Sequence, residues 1–536
     1  MTKRKIIVSK IRKINSSVLA AISGLLFILA LPPFNLSFLA FIGLLPFIYS
    51  FGKDNFYFGF SKGFFFGLIL NSGILYWLAG NQGTTWYFAT LSMLGAVLVL
   101  AVQYGVLGLI ISFIGKSLGR KTFLVSLPFL FAAFEFLTSH GILGFTWNSL
   151  CYTQTNNLIP AQIASLFSCY GLTFWIILVN ILIFWTLIDF FRYHIPYKKL
   201  VISLLIFSLP YCYGFSVLRD GQEEPGAMIS TGLVQPNVDP NEKWIRSNIR
   251  KNLDTLYALS DSVISDLKPN KTDLVVWPET AVPAYIKYRT WVRHELYDFV
   301  SKRRVSLITG APDFVKVDSA EYKFYNATFF INPDILDIKS YNKIRLVPFG
   351  EKIPLSNVFE SLKKINLGQG NFNAGDSVKL FEVPLKSSNN KKENKSILCS
   401  SAICYESGFS DLVRKGVKKG SQLLVIVTND AWFGNTSAPY LHAAIAKLRA
   451  IENRIPIVRA ANTGISMIIN KNGQTLKKCA FNEKCYLAAN LEVRSGLTLY
   501  DKIGESFNWI MVMISTFLFG LSIFKLRQNS NEKGLL

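Results

Sequence analysis

Residues Asp273–Pro283 read DLVVWPETAVP. Leu274, Val275, Val276 and Trp277 run on without a polar break, Pro278 stops the run, and Glu279 follows. A short continuous apolar run of this kind suits a strand covered on both faces, where a sheet with one wet face would alternate. Similar runs predict strands at Ser230–Val234, Asp273–Trp277, Val305–Thr309, Ala327–Ile331, Ile397–Ile403, Leu423–Thr428, Ile457–Ala460 and Ile465–Ile469. Helical periodicity lies at Asn241–Ser265, Thr290–Arg303, Ser410–Lys418 and Ala438–Asn453. Alternation of the two predicts a layered α/β domain. Lys386–Lys395, KSSNNKKENK, reads as a polar surface loop.

Outside that domain the chain is far more apolar. Hydrophobic residues make up 50% and aromatics 14% of the 536 residues, and mean hydropathy is +0.31. That composition implies several membrane spans. Apolar runs fall at about 16–32, 37–51, 58–80, 85–115, 122–140, 162–190, 199–218 and 507–525. The first two are short and are separated by Pro32 and Pro33, so they read as two thin spans or one re-entrant hairpin. No convincing small-residue cleavage site follows the first run, which argues against a removed signal peptide.

The net charge of +23 does not imply nucleic acid. Lys3, Arg4, Lys5, Lys10, Arg12 and Lys13 precede the first apolar run, and Lys116, Arg120, Lys121, Arg192, Lys198 and Lys199 sit in alternate loops. The intervening loops at 33–36, 81–84 and 141–161 carry no Lys or Arg. This one-sided pattern follows the positive-inside rule and predicts eight spans with both termini cytoplasmic. The expected organisation is a seven-span bundle over 1–218, an extracytoplasmic α/β domain over 219–506, and a final span with a cytoplasmic tail over 507–536. Glu135, within the fifth run, reads as a structural hydrogen-bonding group.

Three segments of the α/β domain carry groups with chemical potential. Glu279 stands just past a strand end, where open α/β sheets bind ligands. In KIRLVPFGEKIP, Lys343 and Glu351 bracket an apolar loop. In ILCSSAICYE, Cys404 ends a strand and Tyr405 and Glu406 follow. Alone, each also fits a cap, a solvated charge or a packing thiol. Together a carboxylate could take the thiol proton, and an ammonium could favour the thiolate and the oxyanion formed on attack. No HExxH, CxxC or P-loop pattern occurs, so neither zinc hydrolysis nor nucleotide-driven chemistry is expected, and no cofactor is implied. Seven cysteines are present, so at least one lies outside any intrachain bridge. Cys399 and Cys404 should face opposite ways, whereas Cys479 and Cys485 flank a turn that either pairing state would suit.

WPET, the Lys before LVPFGE, and CYE resemble in order the three signature regions of the nitrilase superfamily, with its Glu-Lys-Cys triad. With the eight-span frame, the sequence resembles more narrowly the bacterial apolipoprotein N-acyltransferases. LPPF at 31–34, GFTWNSLCYTQ at 144–154, GLVQPN at 232–237, NDAWFG at 429–434 and the stretch from His442 to Ser466 extend the likeness over nearly the whole chain. Thr146 stands where many members have Pro. The resemblance implies a periplasmic αββα sandwich on an inner-membrane bundle. It implies Glu279 as general base, Lys343 as stabiliser of the tetrahedral intermediate and Cys404 as nucleophile. Glu351 would orient the triad, Tyr405 and Glu406 would shape the pocket, and Trp244 would handle substrate. Trp147 would sit near lipid. The partners implied are a phospholipid acyl donor, typically phosphatidylethanolamine, and diacylglyceryl apolipoproteins. Aromatic residues of loops 285–290, 349–372 and 432–440, including Phe349, Phe359, Phe372, Trp432 and Phe433, are expected to dip toward lipid. Two other readings stay open: a membrane-anchored nitrilase-type amidase, and a non-catalytic transporter or lipoprotein-binding scaffold.

Overall fold

A computed structural model describes residues 14–54, 56–81, 84–192, 197–219, 226–268, 271–318, 321–335, 338–353, 371–386, 396–493 and 496–534. The basic cluster at 3–13, Phe359 and most of the 386–395 loop lie outside these. The chain forms two compact units, one of residues 1–79, 89–219 and 505–536, the other of residues 80–88 and 220–504.

The first unit is an α-helical membrane bundle. Among the described residues, five helices are long and apolar enough to cross a membrane: Gly59–Gly80, Trp86–Thr138, Ala164–Phe190, Tyr197–Arg219 and Ser506–Asn529. The second spans 53 residues and is interrupted at Gly119, whose φ of 84° no helix contains. That break divides it near the two apolar runs expected at 85–115 and 122–140. Ser16–Ala30 and Ser37–Lys53 are shorter apolar helical segments. Fifteen helical residues rise about 22 Å, less than the ~30 Å hydrocarbon core. Helix 59–75 crosses helix 86–138 at very short range: a Cβ on Gly63 would lie 2.0 Å from the Tyr104 carbonyl oxygen, and one on Gly108 would lie 2.2 Å from that of Gly59. Small residues allow such close crossing where no hydrophobic effect drives association.

Polar groups in this unit hold irregular backbone. The buried Glu135 accepts hydrogen bonds from Leu150 N at 2.8 Å and Thr173 Oγ1 at 2.7 Å. It thereby ties down the irregular 139–149 segment where it enters the short 3-10 helix Leu150–Gln154, consistent with the structural role read from sequence. Trp147 is 3% exposed, with its ring 6.0 Å from that of Trp77. It packs inside the unit.

The second unit is an αββα sandwich. One six-stranded sheet runs β12-β1-β2-β3-β4-β5, with β1 Met228–Gln235, β2 Leu274–Val276, β3 Ser306–Lys316, β4 Tyr322–Ile331, β5 Ile338–Asn342 and β12 Cys485–Glu492. The other runs β11-β10-β9-β8-β7-β6, with β6 Leu380–Pro384, β7 Ser396–Ile403, β8 Leu423–Thr428, β9 Ile457–Ala461, β10 Met467–Ile469 and β11 Thr475–Lys478. β1-β2-β3 and β7-β8-β9 are parallel, and the flanking pairs are antiparallel. Ile229, Leu274, Val276, Ile403, Val425 and Val458 belong to the core between the sheets. Helices Asn248–Leu267 and Thr290–Arg303 cover the outer face of the first sheet, and Ser410–Lys418 and Ser437–Asn453 that of the second. Coverage on both faces explains why the central strands read as unbroken apolar runs.

The single helix expected over Asn241–Ser265 is instead two. Pro240–Lys243 is a short turn capped by Asp239 with Pro240 at its first position, and Asn248–Leu267 begins anew. Cys479 and Cys485 form a disulfide, whereas Cys399 and Cys404 do not pair with each other.

Candidate active site

Three strand ends supply the site. Glu279 follows β2, Lys343 follows β5, and Cys404 follows β7 on the facing sheet. Each segment contains a residue with side chain in the left-handed region: Thr280 (φ 47°), Phe349 (φ 62°) and Cys404 itself (φ 52°). Such conformations are rare for residues other than glycine and require firm surroundings. At Thr280 the room comes from β3, because a Cβ on Gly310 would lie 2.5 Å from Thr280 N and 2.7 Å from Glu279 Cα.

The charged groups converge. Glu279 and Lys343 are almost wholly buried, as is Glu351. Lys343 Nζ lies 2.9 Å from Glu351 and 3.9 Å from Glu279 Oε1. Asn326, on β4, donates from one amide nitrogen to Glu279 Oε1 at 2.7 Å and to Glu351 Oε1 at 3.1 Å. Val347 N holds the second Glu351 oxygen at 3.0 Å. Burial opposes charge on Lys343, but Glu351, Glu279 and Cys404 outweigh it and keep the ammonium above its usual range. Burial, with help from Glu351, raises the Glu279 carboxyl against the pull of Lys343 and Asn326. The Cys404 thiol is pushed up to about 12 by burial and by Glu279, with Lys343 acting the other way. Burial thus favours the neutral form of the Cys404 thiol, and a thiol in that form would need a base before it could act as a nucleophile.

Glu406 is a buried anchor. It accepts from Ile403 N at 2.8 Å, Ile344 N at 2.6 Å, Arg345 N at 3.0 Å and Tyr341 Oη at 2.8 Å. One carboxylate thus ties the turn after Cys404 to the segment carrying Lys343. Tyr405 is buried, with its ring packed edge-on to Phe409 at 5.1 Å. Trp244 is 52% exposed and forms no part of this cluster. Its neighbour Lys243 does: it is buried and donates to the Glu279 carbonyl and to Thr280 Oγ1, both at 3.0 Å. Burial pushes Lys243 down to about 7, with Glu279 resisting. Phe349 is half exposed, while Phe372, Trp432 and Phe433 are of intermediate burial.

Asn326 and Lys243 were invisible as site residues in the sequence. Asn326 follows from its place opposite Pro312 on the β3–β4 ladder, which no local pattern marks. Asp430, His442 and Arg459 lie within stretches quoted above for the family resemblance, but the segments alone suggest no task for them. No group of three or more His, Cys, Asp or Glu suited to a metal occurs among the described residues.

Two families match the chain: apolipoprotein N-acyltransferase N-terminal domain over residues 23–182 and carbon-nitrogen hydrolase over residues 231–495. The apolipoprotein N-acyltransferase of Geobacter metallireducens is 32% identical over 501 residues, covering 92% of this chain and 93% of that protein. That of Chlorobaculum tepidum is 28% identical over 507 residues, covering 90% and 92%. A crystal structure of an amidase from Nesterenkonia sp. aligns at 17% identity and a TM-score of 0.36, covering 51% of this chain and 94% of its own. A mixed-sheet hydrolase unit, an apolar helical unit and one-third identity along nine-tenths of a relative meet in one sequence, and the chain belongs to the apolipoprotein N-acyltransferase family.

Proposed function

We propose that this membrane enzyme moves an acyl chain from a phospholipid, through a thioester on Cys404, to the α-amino group of the N-terminal diacylglyceryl-cysteine of an apolipoprotein. The observation that carries the reading is the burial together of a thiol, an ammonium and two carboxylates on a chain whose other unit is apolar helix. In the first half-reaction Glu279 takes the thiol proton as Cys404 Sγ bonds to the ester carbonyl carbon. The carbonyl oxygen becomes an oxyanion beside Lys343. The C–O bond then breaks, and Glu279 returns the proton to the leaving oxygen, releasing a lysophospholipid. In the second half the amine nitrogen attacks the thioester and loses a proton to Glu279, the C–S bond breaks, and Glu279 passes that proton to the departing sulfur to restore the thiol.

Glu351 and Asn326 fix the two charged partners in this scheme, and Lys243 braces the loop that carries Glu279. Trp244 and the half-exposed Phe349 are assigned to substrate handling and to contact with lipid. We place the catalytic unit in the periplasm and both termini in the cytoplasm on loop charge. Phosphatidylethanolamine is the proposed donor.

Intact-mass analysis of the purified protein after incubation with phosphatidylethanolamine tests the scheme. A gain of one acyl chain that hydroxylamine removes and that C404S lacks is expected. Transfer to a lipopeptide amine without any acylated protein would eliminate the covalent step. A small amide hydrolysed with no lysophospholipid released would favour an amidase. Full lipoprotein maturation by C404A would favour a scaffold.

A further inference from the structure

The scheme above leaves a second buried cluster without a task. Thr428 ends β8, Asp430 follows it, Arg459 lies on β9 and His442 on helix Ser437–Asn453, and all four side chains are fully buried. Thr428 Oγ1 donates to Asp430 Oδ1 at 2.9 Å, and the register that pairs Ile403 with Val427 sets Thr428 beside Cys404 where the two strands end. Asp430 Oδ2 accepts from Arg459 Nη2 at 2.9 Å. His442 Nδ1 stands 2.9 Å from Asp430 Oδ1, and its Nε2 stands 3.1 Å from the Cys404 carbonyl oxygen. Polar contacts therefore run from Thr428, beside Cys404, through Asp430 and His442 back to the Cys404 carbonyl.

A buried ion pair alone gives little net stability, because desolvation offsets most of its attraction. This one ends on the nucleophile twice. His442 Nε2 lies 3.1 Å from both that carbonyl oxygen and Ser407 Oγ. Ser407 Oγ donates to the same oxygen at 3.0 Å. Together they hold Cys404 in its left-handed backbone, the orientation that aims Sγ away from its strand. The other end faces the sulfur where negative charge develops, in surroundings that otherwise disfavour a thiolate.

We propose that Thr428 is a hydrogen-bond donor to the Cys404 sulfur, and that Asp430, His442 and Arg459 are positioning residues holding Thr428 and the Cys404 backbone in place. At rest the hydroxyl donates to Asp430 and accepts from the thiol. When Glu279 removes the thiol proton, the hydroxyl turns its own hydrogen to the sulfur, and Asp430 keeps Arg459. No proton passes through Thr428. The inference rests on the acyl-transfer reading for its purpose, but thiol reactivity is measurable without lipid.

The test uses the full-length protein in detergent with T428V, T428S, H442A and H442Q. Alkylation of the Cys404 peptide by iodoacetamide at pH 8 and single-turnover acylation from phosphatidylethanolamine are followed by mass spectrometry, beside thermal melting. T428V should slow both reactions about tenfold or more, as expected for a lost hydrogen bond to a charged group. T428S should recover to within about threefold of the parent, the typical span of such context effects. H442A should slow both, and H442Q, which retains an N–H, should recover part of the loss. A folded T428V that alkylates and acylates at the parent rate overturns the proposal, as does a folded T428S no better than T428V. If T428V does not fold, T428A decides by the same outcomes. Should alkylation depend on Thr428 while no phospholipid acylates the parent protein, the acyl-transfer reading fails and this inference stands.

Discussion

At Glu279 burial and two neighbouring charges pull in opposite directions, and burial wins. The carboxyl consequently protonates at a higher pH than an ordinary glutamate. With burial pushing the thiol up to about 12, attack in the proposed scheme depends on Glu279 being ionised. Acylation should fall on acidification through the raised Glu279 value and show no thiol-governed rise between pH 7 and 9. A single-turnover pH profile checks this, and a sharp rise across that interval would show the thiolate forming unaided. Asn326 lowers the Glu279 value by donating to it. N326L should therefore move the acidic limb to higher pH and slow acylation about ten- to a hundredfold at neutral pH, the scale of a hydrogen bond to a charged group. An unmoved limb would separate Asn326 from the base.

Among elements, β3 controls the site from its neighbour. Its Gly310 backs directly onto Pro278–Thr280, so a methyl there must displace the loop carrying Glu279. G310A should cost about 1–3 kcal/mol, as overpacking does, and lower acylation more than it lowers the melting temperature. Equal loss of activity in G310A and in a comparably destabilised outer-helix variant such as L296A would remove that distinction. The central strands β1, β2, β3, β7, β8 and β9 were legible in the sequence because both faces are buried. The four strands that it did not reveal, β5, β6, β11 and β12, are the four sheet edges. Edge strands are half solvated and carry polar residues, as TLKK in β11 does, so the apolar signal fades there. The segments carrying Glu279 and Cys404 were legible for a related reason: each follows the end of a buried strand. Asn326 and Lys243 reach the same site only through tertiary packing, which leaves no periodic trace.

For the whole molecule, the charge asymmetry of the loops makes a topological prediction. A cysteine placed by K198C should react with a membrane-impermeant maleimide only after cells are permeabilised. One placed by Q474C, in the catalytic unit, should react in cells whose outer membrane alone is opened. Labelling in the reverse order would invert the proposed orientation. The Cys479–Cys485 bridge closes only a six-residue separation, so C479A/C485A should cost about 2 kcal/mol and retain acylation; complete loss of folding would assign the bridge a larger part.

The pairing of β1 with β12 has a consequence in time. The first strand of the catalytic unit lies against its last, and a hydrogen bond joins Gly226 to Glu492 across 266 residues. During synthesis β1 emerges early and must wait with one edge bare until nearly the entire unit has followed. Contacts so distant along the chain form slowly, and an unpaired edge invites wrong partners. Completion of this fold is thus tied to the arrival of β12, when the returning strand seals the sheet.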